Sequence, residues 1–304
     1  MLKDAVTRHI DLYRSMGFKY KDQACMLKGF ASFAESRHEH FIRTETVLEW
    51  AASAPSVSRR HDRLLTIRRF ACALKAEDDC HQIPPDDAFG HAQRRHRKSY
   101  IFAPEEVIRL LRAAAQLKPK GPIRAATYVA LFSLLAATGL RISEALKLRI
   151  SDVTSDGLLI RETKFQKSRL VPLHASAQQG LCRYLDARRR IRTTTPNVFV
   201  SWCGDALSYN TVMRTFLKLA RSAGLREGPG HGGCRIHDVR HTFAVRSLEQ
   251  CPADRRSVAQ HMAALSTYMG HAHISDTYWY LQVTPKLLDD IALAAEVLHQ
   301  GGER

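Results

Sequence analysis

Apolar residues recur at helical spacing through the first part of the chain. Leu2, Val6 and Ile10 fall on one face of a predicted helix. The same spacing predicts three more helices. The second has apolar positions at Cys25, Leu27, Phe30 and Phe33, and the third, capped by Thr44, has them at Val47, Leu48 and Trp50. The fourth begins near Ser58 and has them at Leu64, Leu65, Ile67, Phe70 and Leu74. The pattern predicts a helical N-terminal domain over residues 1–90.

The apolar pattern is interrupted over residues 81–100. Pro84, Pro85 and Gly90 break regular elements there, and such a composition is typical of a linker. We place the link itself at residues 91–100, a stretch that carries the basic side chains Arg94, Arg95, Arg97 and Lys98. Those charges either keep the linker solvated or lie along a nucleic-acid backbone, and the sequence favours neither reading.

Longer apolar runs begin after residue 100. One helix is predicted to begin near Pro104, and a second to run from Ile123 to about Ala137 and end at Thr138-Gly139. Another helix opens at Arg141. The elements predicted after it are two strands flanking a polar turn at 157–160 and 168–173, a short strand at 198–200, and helices at 176–192, 209–223, 236–248 and 254–264.

The final segments are also predicted to be helical. The stretch from Leu265 to Leu281 is predicted to form a turn, a polar cap at Ser275 or Asp276, and a helix carrying Tyr278, Trp279 and Tyr280. An amphipathic helix from about Pro285 to about His299 either packs on a neighbouring subunit or covers its own domain. Residues 101–304 are therefore predicted to form a second domain, mainly α with a small β-hairpin or sheet.

The charge balance indicates a polyanionic partner. The 304 residues include 46 Lys and Arg against 30 Asp and Glu, a formal net charge of +16. This excess favours nucleic acid over an anionic membrane as the partner. Part of the positive charge lies on the helix that begins near Ser58, which carries five arginines within eleven residues: Arg59, Arg60, Arg63, Arg68 and Arg69. A phosphate-contacting face and a merely solvated face are equally consistent with that run.

Composition also sets expectations about location and cofactors. No apolar run approaches the roughly 20 residues that span a bilayer, and the N-terminus does not resemble a signal peptide, so we expect a soluble, cytoplasmic protein with no membrane partner. The seven cysteines include no CxxC pair, so we expect neither structural zinc nor disulfides. His237 and His241 stand four apart and suit a metal, but no HExxH glutamate accompanies them.

One tyrosine is a candidate nucleophile. An aromatic run such as residues 278–280 is most often core packing. A tyrosine hydroxyl can instead form a covalent intermediate, provided that cationic and acid–base groups surround it, because its unperturbed pKa is near ~10. Tyr278 and Tyr280 would point about 200° apart on a helix, so only one of them faces a given substrate. The candidate partners are Arg141, Lys164, His237, Arg240 and His271.

These residues occur in motifs that resemble, together and in order, those of the tyrosine recombinase (phage integrase) family. The motifs are Thr-Gly-Leu-Arg-Ile-Ser-Glu-Ala at 138–145, Thr163-Lys164 followed by Arg-Leu-Val-Pro-Leu at 169–173, His-Asp-Val-Arg-His-Thr-Phe-Ala at 237–244, Met-Gly-His at 269–271, and Tyr280 nine residues later. The resemblance covers about residues 100–290, and residues 1–90 resemble the family's helical core-binding domain. It implies a two-domain architecture with an α+β catalytic domain, and the 240–271 spacing looks closest to transposon-encoded members.

The resemblance also implies a role for each matched residue. Arg141 and Arg240 would clamp the scissile phosphate, and Tyr280, favoured over Tyr278 by its spacing from His271, would attack the phosphorus. Lys164 would protonate the leaving oxygen, His237 would take or orient the tyrosine proton, and His271 would hydrogen-bond the phosphate. Glu144 either positions active-site groups or is a surface residue. No cofactor or metal is expected, because the tyrosyl link conserves the phosphodiester energy.

The function expected from the resemblance is site-specific DNA recombination or integration, for a mobile element. Double-stranded DNA would be the partner, and a homo-tetramer on DNA, with or without other recombinases, would be the working form. Two alternatives stay open on the sequence alone. One is a topoisomerase-like enzyme that nicks and closes DNA without exchange, and the other is a DNA-binding partner that has lost catalysis.

Overall fold

The computed structural model describes residues 2–90, 99–118, 123–161, 168–228, 232–251, 255–271, 273, 275–278 and 280. It divides the chain into two compact units, residues 1–97 and 98–304, and each unit has a hydrophobic core of its own. The described part of the chain is mainly helical with one small antiparallel sheet, which confirms the predicted fold class. No helix in it is long and apolar enough to cross a membrane.

The first unit contains four helices: α1 (Leu2–Ser15), α2 (Lys21–Glu35), α3 (Thr44–Ala52) and α4 (Val57–Lys75). Their apolar faces meet in a core that includes the fully buried Leu27, Phe30, Ile67 and Phe70. Two details of the sequence prediction are wrong. Thr44 is the first residue of α3 and Arg43 is its N-cap, while Cys25 lies on the exposed face of α2. The N-cap of α4 is Ser56, whose hydroxyl accepts from the Arg59 amide.

Residues 81–90 belong to this first unit, although their prolines and glycine interrupt the helical pattern in the sequence. The Ile42 amide donates to His81 Nδ1 at 3.1 Å, and the Gln82 amide donates to the Ile42 carbonyl at 2.8 Å. Arg68 Nη1 donates to the Pro84 carbonyl at 2.7 Å. These contacts hold the segment against α4 and the chain that leads into α3, so its prolines lie in an ordered loop rather than in a free linker. The predicted linker, residues 91–100, lies outside the described residues up to Lys98.

The second unit contains eight described α-helices around a short sheet. They are α5 (Pro104–Ala115), α6 (Arg124–Thr138), α7 (Ile142–Lys147), α8 (Ala175–Arg189), α9 (Tyr209–Ser222), α10 (Ile236–Glu249), α11 (Arg255–Met269) and α12 (Ser275–Tyr278). Apolar almost all round, α6 packs against α5, α8 and α10, as expected of a central helix. It ends at Gly139 in the left-handed conformation, as the sequence predicted.

The sheet has the strand order β1-β2-β3 and is antiparallel throughout. Its strands are β1 (Val153–Thr154), β2 (Gly157–Ile160) and β3 (Arg169–Val171), so the predicted hairpin is present with one more strand beside it. The strand predicted at residues 198–200 is wrong. That segment is buried in the core, but it forms only an isolated bridge between Val200 and Ala206, because no further strand lies beside it.

The region around residues 265–281 differs from its predicted form. Helix α11 runs on to Met269, so the first five residues of the predicted turn are its last turn and a half. The turn itself is at Gly270, whose φ is +67°, and the helix after it, α12, has only four residues. Trp279 and the predicted helix from Pro285 to His299 lie outside the described residues.

Candidate active site

Gly139 places Arg141 at the start of α7. With φ at +61°, Gly139 ends α6 in a conformation that side-chain-bearing residues rarely adopt. A Cβ on Gly139 would also meet Phe243 Cδ1 at 2.4 Å, so α10 passes directly over this turn. Arg141 then forms the N-cap of α7 with its side chain free to leave the helix. The close turn therefore directs Arg141 towards the end of α11.

Three arginines converge on the last carbonyl groups of α11. Arg169 Nε donates to the Tyr268 carbonyl at 2.8 Å, Arg240 Nη2 to Met269 at 2.8 Å, and Arg141 Nη2 to Gly270 at 3.1 Å. The final carbonyls of a helix have no partner within the helix and carry the negative end of its dipole. Three guanidinium groups from separate elements satisfy them here. Three positively charged side chains are therefore concentrated at the end of α11.

Glu144 joins two of these arginines. Its side chain is 7% exposed; Oε1 lies 2.9 Å from Arg141 Nη1, and Oε2 lies 2.9 Å from Arg169 Nη2. Burial alone raises the pKa of this carboxyl, but hydrogen bonds and charge from Arg169 and Arg141 outweigh it and hold the pKa below its usual value. Oε2 also accepts from the Arg141 amide at 3.0 Å and caps α7. The surface role left open for Glu144 is therefore wrong.

Arg240 is almost completely buried. Its Nη1 donates to the Gly139 carbonyl at 2.6 Å, so one guanidinium ties the end of α6 to the end of α11. Burial, followed by repulsion from Arg141, lowers the pKa of Arg240 to about 10, which still leaves it protonated at neutral pH. A buried cation held by backbone carbonyls keeps donors available for an anion, and its desolvation strengthens that attraction.

Tyr280 lies in a small apolar core rather than at the surface. It is 3% exposed and packs among residues of α10 and α11 that include Ala244, Leu248, Met262 and Met269. Tyr278, by contrast, is 51% exposed. Burial raises the pKa of the Tyr280 phenol, and the charges of Arg240 and Arg141 oppose that rise. Of these two tyrosines, Tyr280 is thus the one set beside the cations.

Two histidines contact the Tyr280 ring, and a third lies against one of them. His241 Nδ1 lies 3.3 Å from the Tyr280 hydroxyl, and the His271 ring stacks on the Tyr280 ring at 6.1 Å between centroids. His237 meets the His241 ring edge-on at 4.8 Å. His271 Nδ1 hydrogen-bonds Thr277 Oγ1 at 2.6 Å, which fixes the ring after the Gly270 turn.

Burial and the neighbouring cations keep these histidines neutral. Burial, then Arg240 and Arg141, lower the pKa of His271 to about 4. Burial, then His237, Arg235 and Arg240, lower the pKa of His241 to about 3. The pKa of His237 is lowered for the same reasons. Among the residues that the structure describes, no group of three or more His, Cys, Asp or Glu side chains is arranged so that it could hold a metal ion.

The structure brings together five of the six predicted catalytic residues: Arg141, His237, Arg240, His271 and Tyr280. Lys164 lies outside the described residues, as do Arg94, Arg95, Arg97 and Lys98. Two further residues of the cluster, Arg169 and His241, were given no catalytic role from the sequence, although His241 was considered as a metal ligand with His237. Arg169 sits five residues after Lys164 in the hairpin, and His241 directly follows Arg240, so position next to a motif residue was the available signal.

Some arginines of the predicted basic face of α4 already make hydrogen bonds within their own unit. Arg63 Nη1 donates to the Trp50 carbonyl at 2.9 Å and to Ser53 Oγ at 2.8 Å, and its guanidinium lies over the Trp50 ring. Arg60 Nε donates to the Ala54 carbonyl at 3.1 Å. Arg59 and Arg69 are exposed. Arg59 and Arg69 are therefore more exposed than Arg60, Arg63 and Arg68.

Comparison with known proteins agrees with the motif pattern. A family profile described as the phage integrase family matches residues 101–286. The putative integrase/recombinase y4rB of Sinorhizobium fredii (strain NBRC 101917 / NGR234) is 37% identical over 298 residues, which cover 95% of each chain.

Solved structures share the fold at low sequence identity. The XerH site-specific recombinase bound to palindromic difH substrate, a post-cleavage complex, superposes with a TM-score of 0.67 at 20% identity, over 90% of this chain and 78% of that one. A lambda integrase tetramer bound to a Holliday junction superposes with a TM-score of 0.65 at 17% identity, over 92% and 76%.

Proposed function

The chain belongs to the phage integrase family of tyrosine recombinases, and we propose that it cuts and rejoins DNA through a 3′-phosphotyrosyl intermediate on Tyr280. Membership makes it an enzyme of the site-specific recombinase class. The observation that carries the proposal is the position of the Tyr280 hydroxyl, buried beside Arg240 and Arg141 and hydrogen-bonded to a histidine. This arrangement supplies a nucleophile, cations for a phosphate and a proton acceptor in one cluster.

Arg141 and Arg240 are the groups proposed to hold the scissile phosphate. Negative charge grows on the non-bridging oxygens as the phosphorus becomes five-coordinate, and fixed guanidinium donors stabilise that charge. Both arginines are already held by carbonyls of Gly139, Met269 and Gly270, so little reorganisation accompanies binding. His271, fixed through Thr277, is proposed to donate a further hydrogen bond to the phosphate.

The proposed chemistry exchanges one phosphodiester for another. A bond forms between Tyr280 Oη and phosphorus while the bond from phosphorus to the 5′ oxygen breaks, and the proton of the hydroxyl leaves to a base. Lys164 is proposed to protonate the departing 5′ oxygen as general acid. Attack by a 5′-hydroxyl on the phosphotyrosyl bond reverses the step and rejoins DNA. Since the number of phosphodiester-type bonds is conserved, neither a nucleotide cofactor nor a metal is required.

The biological setting is part of the proposal. We assign the enzyme to a mobile element, acting on double-stranded DNA in the cytoplasm as a tetramer. The tetramer is proposed by analogy with lambda integrase, whose fold this chain shares and which was solved as a tetramer bound to a Holliday junction. The net charge of +16 supports a DNA partner, and residues 1–90 are proposed to contact the duplex as well.

A suicide substrate tests the chemistry. A nicked duplex that carries a candidate site from the flanks of the gene's own element is incubated with wild type and with Tyr280→Phe. We expect an SDS-stable protein–DNA adduct with wild type and none with Tyr280→Phe. An adduct that persists in Tyr280→Phe would move the nucleophile elsewhere, and Tyr278→Phe identifies the next candidate. DNA binding without any adduct would support a non-catalytic DNA-binding role.

Product analysis separates recombination from simple nicking and closing. Two plasmids that each carry the site are incubated with the protein and resolved by size and by linking number. Exchanged products are expected from a recombinase, since strands must pass between two duplexes. Relaxed plasmids without exchanged products would favour the topoisomerase-like alternative.

A further inference from the structure

The geometry points to His241 as the group that takes the proton from the Tyr280 hydroxyl when the phosphotyrosyl bond forms. The inference rests on the proposed function and adds a general base to it. The family resemblance gave this role to His237, four residues earlier on α10. The assignment to His241 comes from the position of its ring rather than from a motif.

His241 touches the reacting atom. Its Nδ1 lies 3.3 Å from Tyr280 Oη, close to hydrogen-bonding distance for a general base before substrate tightens the site. The two ring centroids are 5.5 Å apart. Tyr280 is fixed by the apolar core around its ring and by the bond from its amide to the Thr277 carbonyl at 3.0 Å. Both partners are therefore held in place, one on a long helix and one in a packed core.

The surroundings keep the His241 ring unprotonated before DNA binds, and the same burial and charges weaken it as a base until the phosphate arrives. The charged and titratable groups that act on the half-buried ring are His237 and Arg240 of α10, Arg235 at its N-cap, and His271 from the Gly270 turn. With burial, these groups hold the imidazole in its neutral form at neutral pH. The hydroxyl then donates to Nδ1, and the ring proton resides on the other nitrogen. A DNA phosphate bound by Arg141 and Arg240 adds negative charge nearby, which raises the proton affinity of His241 during the reaction.

The proton transfer balances with the bond changes. The Oη–H bond breaks, its proton passes to Nδ1, and the oxygen lone pair forms the bond to phosphorus as the 5′ oxygen leaves. His241 becomes an imidazolium beside the new phosphotyrosine. When a 5′-hydroxyl attacks the phosphotyrosyl bond, Tyr280 Oη departs and recovers the same proton from His241. One histidine thus serves as base in cleavage and as acid in ligation.

Single-turnover cleavage of the suicide substrate is the test, with the full-length chain and several variants. His241→Asn places an amide oxygen near the position of Nδ1, so it keeps a hydrogen-bond acceptor but cannot hold the proton; His241→Ala removes both. His237→Asn tests the alternative that His237 is the base. His261→Asn is the control, because His261 Nε2 on α11 also hydrogen-bonds a hydroxyl, that of Ser247 on α10, at 3.0 Å. Melting curves and DNA affinity are measured for each variant.

We expect His241→Asn to slow cleavage about 10²- to 10⁴-fold with unchanged DNA affinity, the range typical of a lost general base. Its residual rate should rise about tenfold per pH unit between pH 6 and 9, because ionised tyrosine or hydroxide must then replace the base. His261→Asn should cleave within about twofold of wild type. A cleavage rate of His241→Asn close to that of wild type, with a defect in His237→Asn instead, would overturn the inference.

A substrate with sulfur in place of the bridging 5′ oxygen separates base from acid. A thiolate leaves without protonation, so this substrate removes the need for a general acid only. The His241→Asn defect should persist on it, and rescue by sulfur would overturn the inference by assigning His241 to the leaving group. A wild-type adduct that disappears in Tyr280→Phe is the precondition; without it the proposed function fails as well, and with it only His241 is in question.

Discussion

Glu144 and Arg169 form a largely buried ion pair, 2.9 Å between Oε2 and Nη2, across 25 residues of sequence. Arg169 uses its Nε to hold the Tyr268 carbonyl at the same time, and Glu144 uses its other oxygen to hold Arg141. The pair therefore connects the hairpin, the start of α7 and the end of α11. Through these contacts the pair holds Arg141 and the end of α11 in place beside Tyr280.

The first prediction concerns this pair. Glu144→Gln removes the charge that Arg141 and Arg169 share, and breaking a buried pair in this way costs about 3–5 kcal/mol. We expect chemical denaturation to show a loss of that size, with slower formation of the Tyr280 adduct. Asp186→Asn is the matched control, since its pair with Arg189 is exposed and should contribute less than about 1 kcal/mol. Equal losses in the two variants would contradict the supporting role.

The second prediction concerns the turn before Arg141. Gly139→Ala combines a left-handed φ with a clash against the Phe243 ring, whereas Gly224→Ala in the same unit has a similar φ of +69° and its nearest contact at 3.9 Å. The backbone alone costs roughly 1–2 kcal/mol in either variant. We expect Gly139→Ala to lower Tm further than Gly224→Ala does and to slow adduct formation, because α10 must shift. Indistinguishable melting curves would show that Phe243 moves aside freely.

The third prediction separates two arginines of α4. Arg59 is exposed, so Arg59→Ala should leave Tm unchanged, weaken DNA binding and lower the slope of log K against log salt by about 0.9. Arg63 donates to Trp50 and Ser53, so Arg63→Ala should cost about 1–3 kcal/mol of stability. Salt-dependent binding and denaturation measure both effects. If Arg59→Ala leaves the salt slope intact, α4 does not contact phosphate through this residue.

The fourth prediction concerns acid. Folding holds the pKa of His241 at about 3 and that of His271 at about 4, while both titrate near 6.5 in the unfolded chain. Below pH 6.5 the unfolded chain thus binds more protons, and stability is lost as the pH falls, by up to about 1.4 kcal/mol per unit for each histidine. Above pH 6.5 neither contributes a slope.

Denaturation at pH 7.5, 6.5 and 5.5 checks this expectation. The wild type should lose stability mainly between pH 6.5 and 5.5, and the double variant His241→Asn with His271→Asn should lose less over that interval. His273→Asn, at an exposed position of the same segment, is the control and should follow the wild type. A wild-type profile that is flat from 7.5 to 5.5 would show that the two rings titrate normally in the folded protein.

Features with a local signal were predictable from the sequence. The end of α6 followed from Thr138-Gly139, and Pro104 with two acids marked the start of α5, because caps and turns depend on neighbouring residues. The end of α11 was missed. Residues 265–269 carry no cap or break of their own, so only the positive φ of Gly270 ends the helix. The buried segment 198–200 has strand-like residues but no strand beside it to complete a ladder.

The sequence predicted those residues of the candidate site that belong to a recognised motif position. Arg141, Arg240, His271 and Tyr280 were named because they sit at recognisable spacings. The contacts of Arg169 with Tyr268 and of His241 with Tyr280 span 99 and 39 residues, and no pattern along the chain encodes such distances. The structure was needed to show that these neighbours of motif residues share the cluster.

The three arginines at the end of α11 are held by main-chain oxygens, and this has a consequence for how the protein tolerates change. A change of side chain in the last turn of α11 leaves those three acceptors present, whereas a residue inserted or deleted in that turn moves them. One inserted or deleted residue would rotate the carbonyl groups by about 100° and shift them by about 1.5 Å, away from all three guanidinium groups at once. At this end of the helix, a change in length therefore disturbs the three arginine contacts more than a change of an exposed side chain such as Thr267 does.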